Sequence, residues 1–319
     1  MLQIKDLHVE YYSKKGIIPA VRGVSFELFE SHALGIVGES ACGKSTLAKA
    51  IIGLIPPHEG RIISGNIILD QQNISALNRE QIHKIRGRQI GMIFQDPFNS
   101  LNPLLTIGTQ VEECFNMRTV KKNHDRQTGK AEAVKLLHAV HIPDAERIYS
   151  SYPHQLSGGL RQRVMIAIAI SQNPQILIAD EPTTALDVTI QRDILSLLSE
   201  LRNNLRMSLI LITHNLAIVA NNTVTTMVMY AGKILEESPT RMIFKDPKHP
   251  YTQTLISSLP RLKSTHPLKA IPGKPPDLSH IPPGCCFNLR CPYVHSKCYT
   301  EEPKLTVHEG RKVRCNLYE

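Results

Sequence analysis

No run of apolar residues in this sequence approaches the roughly 18 needed to cross a bilayer as a helix, which argues against a chain that spans a membrane by helices of its own. The opening residues, Met1-Leu2-Gln3-Ile4-Lys5-Asp6, lack the basic-then-apolar pattern of a secretory leader, so the expected compartment is the cytosol. Paired C-x2-C knuckles are missing, which excludes a zinc finger built on them. There is no Trp, no internal repeat and no low-complexity tract. What remains is a globular composition: 42 % of the 319 residues are hydrophobic, enough for a substantial core in two domains or in one core with an appendage. The formal charge of +9 is compatible with nucleic acid, an anionic membrane surface or anionic nucleotides. The basic residues are spread along the chain, with short clusters only at Lys14-Lys15, Arg86-Gly87-Arg88 and Lys121-Lys122, so a solvated surface is the favoured reading.

One stretch carries a definite chemistry. Gly38-Glu39-Ser40-Ala41-Cys42-Gly43-Lys44-Ser45-Thr46 fits the pattern G-x-x-x-x-G-K-S/T at every fixed position. The apolar run Ala33 to Val37 before it reads as a buried strand, and Leu47 to Leu54 after it reads as a helix ended by Pro56-Pro57. A strand entering a glycine turn and then a helix aims several backbone N–H groups, and the positive end of the helix dipole, at one point. Lys44 would add a point charge on the β- and γ-phosphates, and the Ser45 hydroxyl would ligate Mg²⁺. Ala41 is acceptable in such a loop if its φ is negative.

Residues 1 to 32 alternate apolar and polar and predict antiparallel strands; Tyr11 or Tyr12 at the end of the first could stack on an adenine ring or simply pack in a core. Ile67-Ile68-Leu69 predicts a further strand, and Gln89 to Phe94 another, ending at Gln95. Gln95 stands at a hinge before Asp96-Pro97, where it could reach a metal or a water, although a capped loop Gln is the commoner occurrence. Residues 104 to 150 read as helical, and Ser157-Gly158-Gly159 opens a second helix with backbone donors suited to a phosphate. Ile176 to Glu181 is an apolar strand ending in two carboxylates: Asp180, suited to Mg²⁺, and Glu181, suited to act as general base on an attacking water. Burying such a pair without partners is costly, so a purely structural role is disfavoured. After the turn Ala185-Leu186-Asp187 come a helix over 188–204, the strand Ser208 to Thr213 with His214 at its end, and a hairpin from Val224 to Leu235. Beyond residue 240 prolines recur, among them Pro250, Pro260, Pro267, Pro282 and Pro283, which predicts a turn-rich appendage with a small core.

In this order and spacing the Gly38–Ser45 loop, Gln95, Leu156-Ser157-Gly158-Gly159, Asp180-Glu181, Ala185-Leu186-Asp187 and His214 resemble the ATP-binding subunits of ABC transporters. Gln95-Asp96-Pro97, the run Ala179 to Thr189, and His249-Pro250-Tyr251-Thr252, Ile271-Pro272-Gly273 and Pro282-Pro283-Gly284-Cys285 in the tail are similar to the dipeptide/oligopeptide (and nickel) importer branch. The resemblance implies an α/β fold of the P-loop NTPase (RecA-like) type. Its ABC nucleotide-binding domain, 1–244, would carry helical (about 96–170) and antiparallel β subdomains, and 245–319 would form a small Cys-rich C-terminal appendage. It implies a Mg²⁺-dependent ATPase at the cytoplasmic face of the cell membrane, energising import of peptides, or alternatively of nickel or another small solute. Glu181, His214 and Gln95 would act in catalysis. Tyr11, the loop residues Gly38 to Thr46, Ser157, Gly158, Gly159, Asp180 and Asp187 would bind ATP, and Ser45, Gln95 and Asp180 would serve Mg²⁺. The implied partners are two transmembrane permease subunits, a second ATP-binding subunit in a head-to-tail dimer and, indirectly, an extracytoplasmic solute-binding protein. No nucleic acid is expected; a soluble ABC ATPase acting on nucleic acid or ribosomes is favoured only by the charge. The sequence departs from the branch at Ala41, Leu160, Asn215 and Asn221 to Thr226.

Five of the seven cysteines crowd into the last 35 residues, which in a cytosolic chain points to metal before disulfides. Cys285, Cys291, Cys298 and Cys315 match the tail cysteines of the branch, where a four-iron, four-sulfur cluster is found in some members. For this chain a 4Fe–4S cluster, zinc and free thiols all stay open.

Overall fold

The computed structural model describes residues 1–14, 16–116, 126–184, 186–259 and 271–319. Of the residues singled out above, Lys15, Lys121, Lys122, Ala185, Pro260 and Pro267 lie outside these.

Alternating burial of Leu2, Ile4, Leu7 and Val9 marks strand β1 (Leu2–Ser13), which pairs antiparallel with β2 (Gly16–Leu28). β3 (Ala33–Val37) is buried at all five positions, as expected of a strand covered on both faces. Helix α1 (Lys44–Ile51) follows it. Then come β4 (Gly60–Leu69), β5 (Gln72–Asn73), α2 (Arg79–Ile85), β6 (Ile90–Ile93), α3 (Pro97–Ser100), α4 (Ile107–Asn116), α5 (Arg126–Ala139), α6 (Ala145–Tyr149) and α7 (Gly158–Ile170). β7 (Ile176–Asp180), α8 (Val188–Leu205), β8 (Ser208–Thr213), α9 (Leu216–Asn222), β9 (Thr225–Tyr230) and β10 (Lys233–Pro239) follow. The tail adds α10 (Thr240–Lys245), α11 (Pro250–Ser257), α12 (Lys297–Thr300), β11 (Thr306–His308) and β12 (Arg311–Val313).

Two units result: residues 1–78 with 211–319, and residues 79–210; the division falls inside β8. In the first unit, a four-stranded antiparallel sheet has the order β2-β1-β4-β5. β4 starts at Gly60, earlier than its apolar core Ile67-Ile68-Leu69 indicates, because Gly65, at φ +92°, lets the strand continue through an irregular register opposite Lys5 and His8. Beside that sheet in the same unit, β3 pairs parallel with β9, β9 antiparallel with β10, and β10 antiparallel with β12 and so with β11. The tail is thus more than a turn-rich appendage: its last strands extend the sheet that carries β3. Arg311 anchors it, donating to the Asp246 carbonyl at 2.7 Å and to the carboxylates of Asp246 and Glu309 at 2.9 and 2.8 Å.

In the second unit, β6 and β7 pair in parallel, and α4 to α7 pack on one another around Val111, Leu137, Val140, Ile148, Val164 and Ile166. Helix α8 buries Ile194, Leu197, Leu198 and Leu201, three and four residues apart, so one stripe of it is core.

Candidate active site

The phosphate loop lies wholly in the first unit, between β3 and α1. Two of its glycines are dictated by space. A Cβ on Gly38 would sit 2.1 Å from the Met229 carbonyl oxygen, and one on Gly43, at φ +102°, 2.1 Å from that of Ala20. Helix α1 starts at Lys44, three residues earlier than its apolar run, so Lys44, Ser45 and Thr46 form its first turn. Gly43 offers no side-chain cap to that turn, which leaves the dipole end to a ligand. The helix ends before Pro56: Gly53, at φ +67°, and Leu54 donate to the carbonyls of Ala50 and Lys49 in a Schellman closure that needs no proline.

Lys44 is buried, and its Nζ donates to the carbonyls of Gly38 and Glu39, both at 2.8 Å. The Glu39 N–H donates to the Tyr251 hydroxyl at 3.0 Å, and the Glu39 carboxylate receives both terminal nitrogens of Arg290, at 2.6 and 2.9 Å. The Gly232 N–H holds the carbonyl of the buried Cys42 at 2.9 Å, and burial pushes the Cys42 thiol pKa up. Ser40 is exposed.

Ala41 corrects the sequence reading: its φ is +61°, in the left-handed region. The loop is fastened on both sides, by Lys44 at Gly38 and Glu39 and by Gly232 at Cys42, so residue 41 must turn left-handed whatever its side chain. That conformation costs an alanine about 1 kcal/mol relative to glycine. Ala41→Gly is therefore expected to raise the midpoint of thermal unfolding by a few degrees and to leave ATP affinity unchanged. An unchanged midpoint would show that the loop carries no strain there.

Tyr11 is half-buried in β1, and its ring fills the space over Gly60 of β4, where a Cβ would lie 2.8 Å from Cδ1; Tyr12 is exposed. His214 is exposed beyond β8, and Asn215 caps α9 by accepting from the Ala217 N–H at 3.0 Å, a task Asn performs as well as Asp. Thr223, Thr226 and Thr240 share hydroxyl contacts of 2.8 to 3.3 Å, which gives the threonines after Asn221-Asn222 a packing role.

The second unit holds the carboxylates. Asp180 closes β7 and is 3 % exposed; Glu181, 9 % exposed, stands just beyond at φ +48°. Gln95 Nε2 donates to Glu181 Oε2 at 3.1 Å, and the Thr184 hydroxyl donates to the same oxygen at 2.9 Å. Gln95 and Thr184 therefore orient the carboxylate. Thr184 was visible in sequence only as part of a turn; its signal is a hydroxyl three residues after an acid at a strand end. Ser157 caps α7, accepting from the Leu160 N–H at 3.4 Å, so one donor that the sequence reading left uncovered has a partner. Gly159 lets α7 approach α8, since a Cβ would lie 2.9 Å from Ile190 Cγ2, whereas a Cβ on Gly158 would meet Leu186 Cδ2 at an ordinary 3.4 Å. Asp187 is the N-cap residue of α8, its carbonyl accepting from the Gln191 N–H at 2.8 Å.

Cys285, Cys291, Cys298 and Cys315 line one cavity in the first unit, with His249, Phe287, Asn288 and Asn316. Oδ1 of Asn288 and of Asn316 is buried there without a hydrogen-bond partner. Burial, reinforced by the neighbouring thiols, pushes Cys285 up to about 12; burial takes Cys315 up to about 11 and raises Cys291. Among the described residues no three His, Cys, Asp or Glu side chains are grouped to hold a single metal ion. Four thiols bordering one cavity are a donor set that either iron or zinc accepts. Cys286 is buried as well and does not line the cavity.

The strand, glycine loop and helix around Lys44, in a mixed α/β sheet, define a P-loop ATPase. A family model described as "ABC transporter" matches residues 21–184, and one described as "Oligopeptide/dipeptide transporter, C-terminal region" matches residues 235–298. The chain is 44 % identical to the oligopeptide transport ATP-binding protein AppD of Bacillus subtilis, over 100 % of this chain and 97 % of that one. It is 43 % identical to the dipeptide transport ATP-binding protein DppD of the same organism, over 99 % of this chain and 94 % of the relative. Among solved structures, the ATP-binding cassette MJ0796, a dimer in a post-hydrolysis state bound to ADP and Pi, matches with a TM-score of 0.68 and 28 % identity, over 76 % of this chain and 99 % of that one. The chain belongs to the ABC transporter family, as an ATP-binding subunit of its oligopeptide/dipeptide branch. Among the described residues no helix is long and apolar enough to cross a membrane.

Proposed function

We propose that this chain hydrolyses ATP to energise import of dipeptides or oligopeptides, working at the cytoplasmic face of the cell membrane. The observation that carries the reading is the pairing, in one chain, of an ABC ATPase region with the C-terminal region found in oligopeptide/dipeptide transporters. Its partners would be two permease subunits and a second ATP-binding subunit, either a paralogue or a second copy, arranged head to tail; a solute-binding protein would deliver the peptide. Residues 1–244 would form the ATPase domain and 245–319 its appendage, with 96–170 facing the permeases.

The roles follow from side-chain chemistry. Lys44 and the N–H groups of the loop would bind the β- and γ-phosphates, and Ser45, with Asp180 and Gln95, would serve Mg²⁺. Glu181 would take the proton of the attacking water, and His214 would contact the γ-phosphate. Ser157, Gly158 and Gly159 would face the nucleotide held by the second subunit, with Asp187 nearby, and Tyr11 would lie against the adenine. Deleting the gene should abolish uptake of labelled peptides while leaving amino-acid uptake intact. Unimpaired peptide uptake, or purification of the chain with nucleic acid in place of two hydrophobic membrane subunits, would overturn the reading.

Cys285, Cys291, Cys298 and Cys315 would hold a 4Fe–4S cluster as thiolates, and the cluster would supply one-electron chemistry when bound. Since burial raises the Cys285, Cys291 and Cys315 thiols, their conversion to thiolates on loading must release protons, so loading should be favoured as pH rises. Anaerobic purification is expected to give about four iron and four sulfide per chain by the four-cysteine stoichiometry. A colourless, iron-free protein containing zinc would refute it.

A further inference from the structure

The tail residue Arg290 has no place in the roles above, yet it is among the most elaborately held side chains in the first unit. It is 4 % exposed. Its Nε donates to the Pro272 carbonyl at 2.8 Å, and Nη1 donates both to the Tyr230 hydroxyl at 3.1 Å and to Glu39 Oε2 at 2.6 Å. Nη2 donates to Glu39 Oε1 at 2.9 Å. The result is a two-pronged guanidinium–carboxylate fork, the strongest and most directional ion pair available to side chains. Glu39 is the second residue of the phosphate loop. A second tail residue, Tyr251, accepts from the backbone N–H of the same Glu39. Tyr251, Tyr230 and Phe287 pack ring against ring, with centroids 4.6 to 5.4 Å apart, and Phe287 also lines the cysteine cavity.

The charge arithmetic is specific. A loop that must receive the anionic triphosphate carries a carboxylate, which would repel that ligand if left unpaired. The fork neutralises Glu39 and also fixes the loop backbone that Lys44 grips through the Gly38 and Glu39 carbonyls. We infer that Arg290 is a positioning residue of the ATP site: the C-terminal segment sets nucleotide affinity by holding and neutralising Glu39. The inference rests on the reading that the loop binds ATP.

The test is a double-mutant cycle on the full chain, with ATP affinity read by displacement of a fluorescent ATP analogue in Mg²⁺. Arg290→Ala is expected to weaken ATP about tenfold, in the range of coupled charge pairs. Adding Glu39→Gln to that variant should recover most of the loss, because the unpaired charge is then gone. A purely structural Arg290 would give no recovery, and that outcome overturns the inference, as does an Arg290→Ala variant that binds ATP as the parent does. If Arg290→Ala does not fold, Arg290→Lys replaces it: one amino group cannot reproduce the fork, so it should bind ATP more weakly, and Glu39→Gln should again restore it. Parent protein that binds no ATP, or binds it equally after Lys44→Ala, would refute the ATP-site reading itself and the inference with it. A Lys44-dependent parent with no Arg290 effect would refute the inference alone.

Discussion

Glu181→Gln should bind ATP and fail to turn it over, with steady-state hydrolysis down by about 10² to 10⁴-fold, the range a positioned general base contributes. The variant is nearly isosteric, and the two donors that meet Glu181 Oε2, Gln95 Nε2 and the Thr184 hydroxyl, can be met equally well by an amide oxygen. Folding and nucleotide binding should therefore survive while the proton acceptor is lost. Bound ATP that is not consumed should then hold two subunits together, so size-exclusion chromatography with Mg-ATP is expected to show a dimer that the parent shows only transiently. Parental turnover in the variant would remove Glu181 from catalysis. Thr184→Ala offers a graded counterpart: the hydroxyl donor to the carboxylate at 2.9 Å is lost, and the expected decrease in turnover is smaller, with ATP affinity unchanged.

Lys44→Ala should have the second large effect, on binding before chemistry. Its ammonium is buried and already directed by the Gly38 and Glu39 carbonyls, so its position is set by the loop itself. A charged hydrogen bond is worth about 1.5–3 kcal/mol, and removing the one cation that the loop carries should weaken ATP by about 10²-fold. The two carbonyls also lose their donor, so a modest fall in thermal stability is expected alongside. Lys44→Arg should fail to rescue binding, since a planar guanidinium cannot take the place of a compact ammonium between two carbonyls. Equilibrium titration with a fluorescent ATP analogue separates the two effects, and retention of parental affinity in Lys44→Ala would mean that the loop is not the phosphate site.

Among the tail contacts, the pairing of β12 with β10 and the Arg290–Glu39 fork change how the last 75 residues are understood. A segment rich in proline reads as loosely attached. Here it contributes strands to the sheet that bears the phosphate loop and a cation to the loop itself. Burial of Tyr251 and Phe287, together with the Arg311 anchor, explains how a segment with few apolar residues stays fixed.

Local order was determined by the sequence alone. The apolar runs of β3, β6, β7 and β8, the alternation of β1 and β2, and the glycines around Lys44 are patterns of period two or of fixed spacing, and short-range sterics turn them into strands and a phosphate loop. The order of those motifs was enough to name the family. Tertiary structure alone decided the pairings across long stretches of chain: Gln95 with Glu181, 86 residues apart, and Arg290 with Glu39, 251 apart. It also decided the left-handed turn at Ala41, held by the Gly232 N–H on the Cys42 carbonyl. Each of these depends on which groups the fold brings together. No periodicity records that, because a hydrogen bond between distant residues leaves no mark on the residues between them.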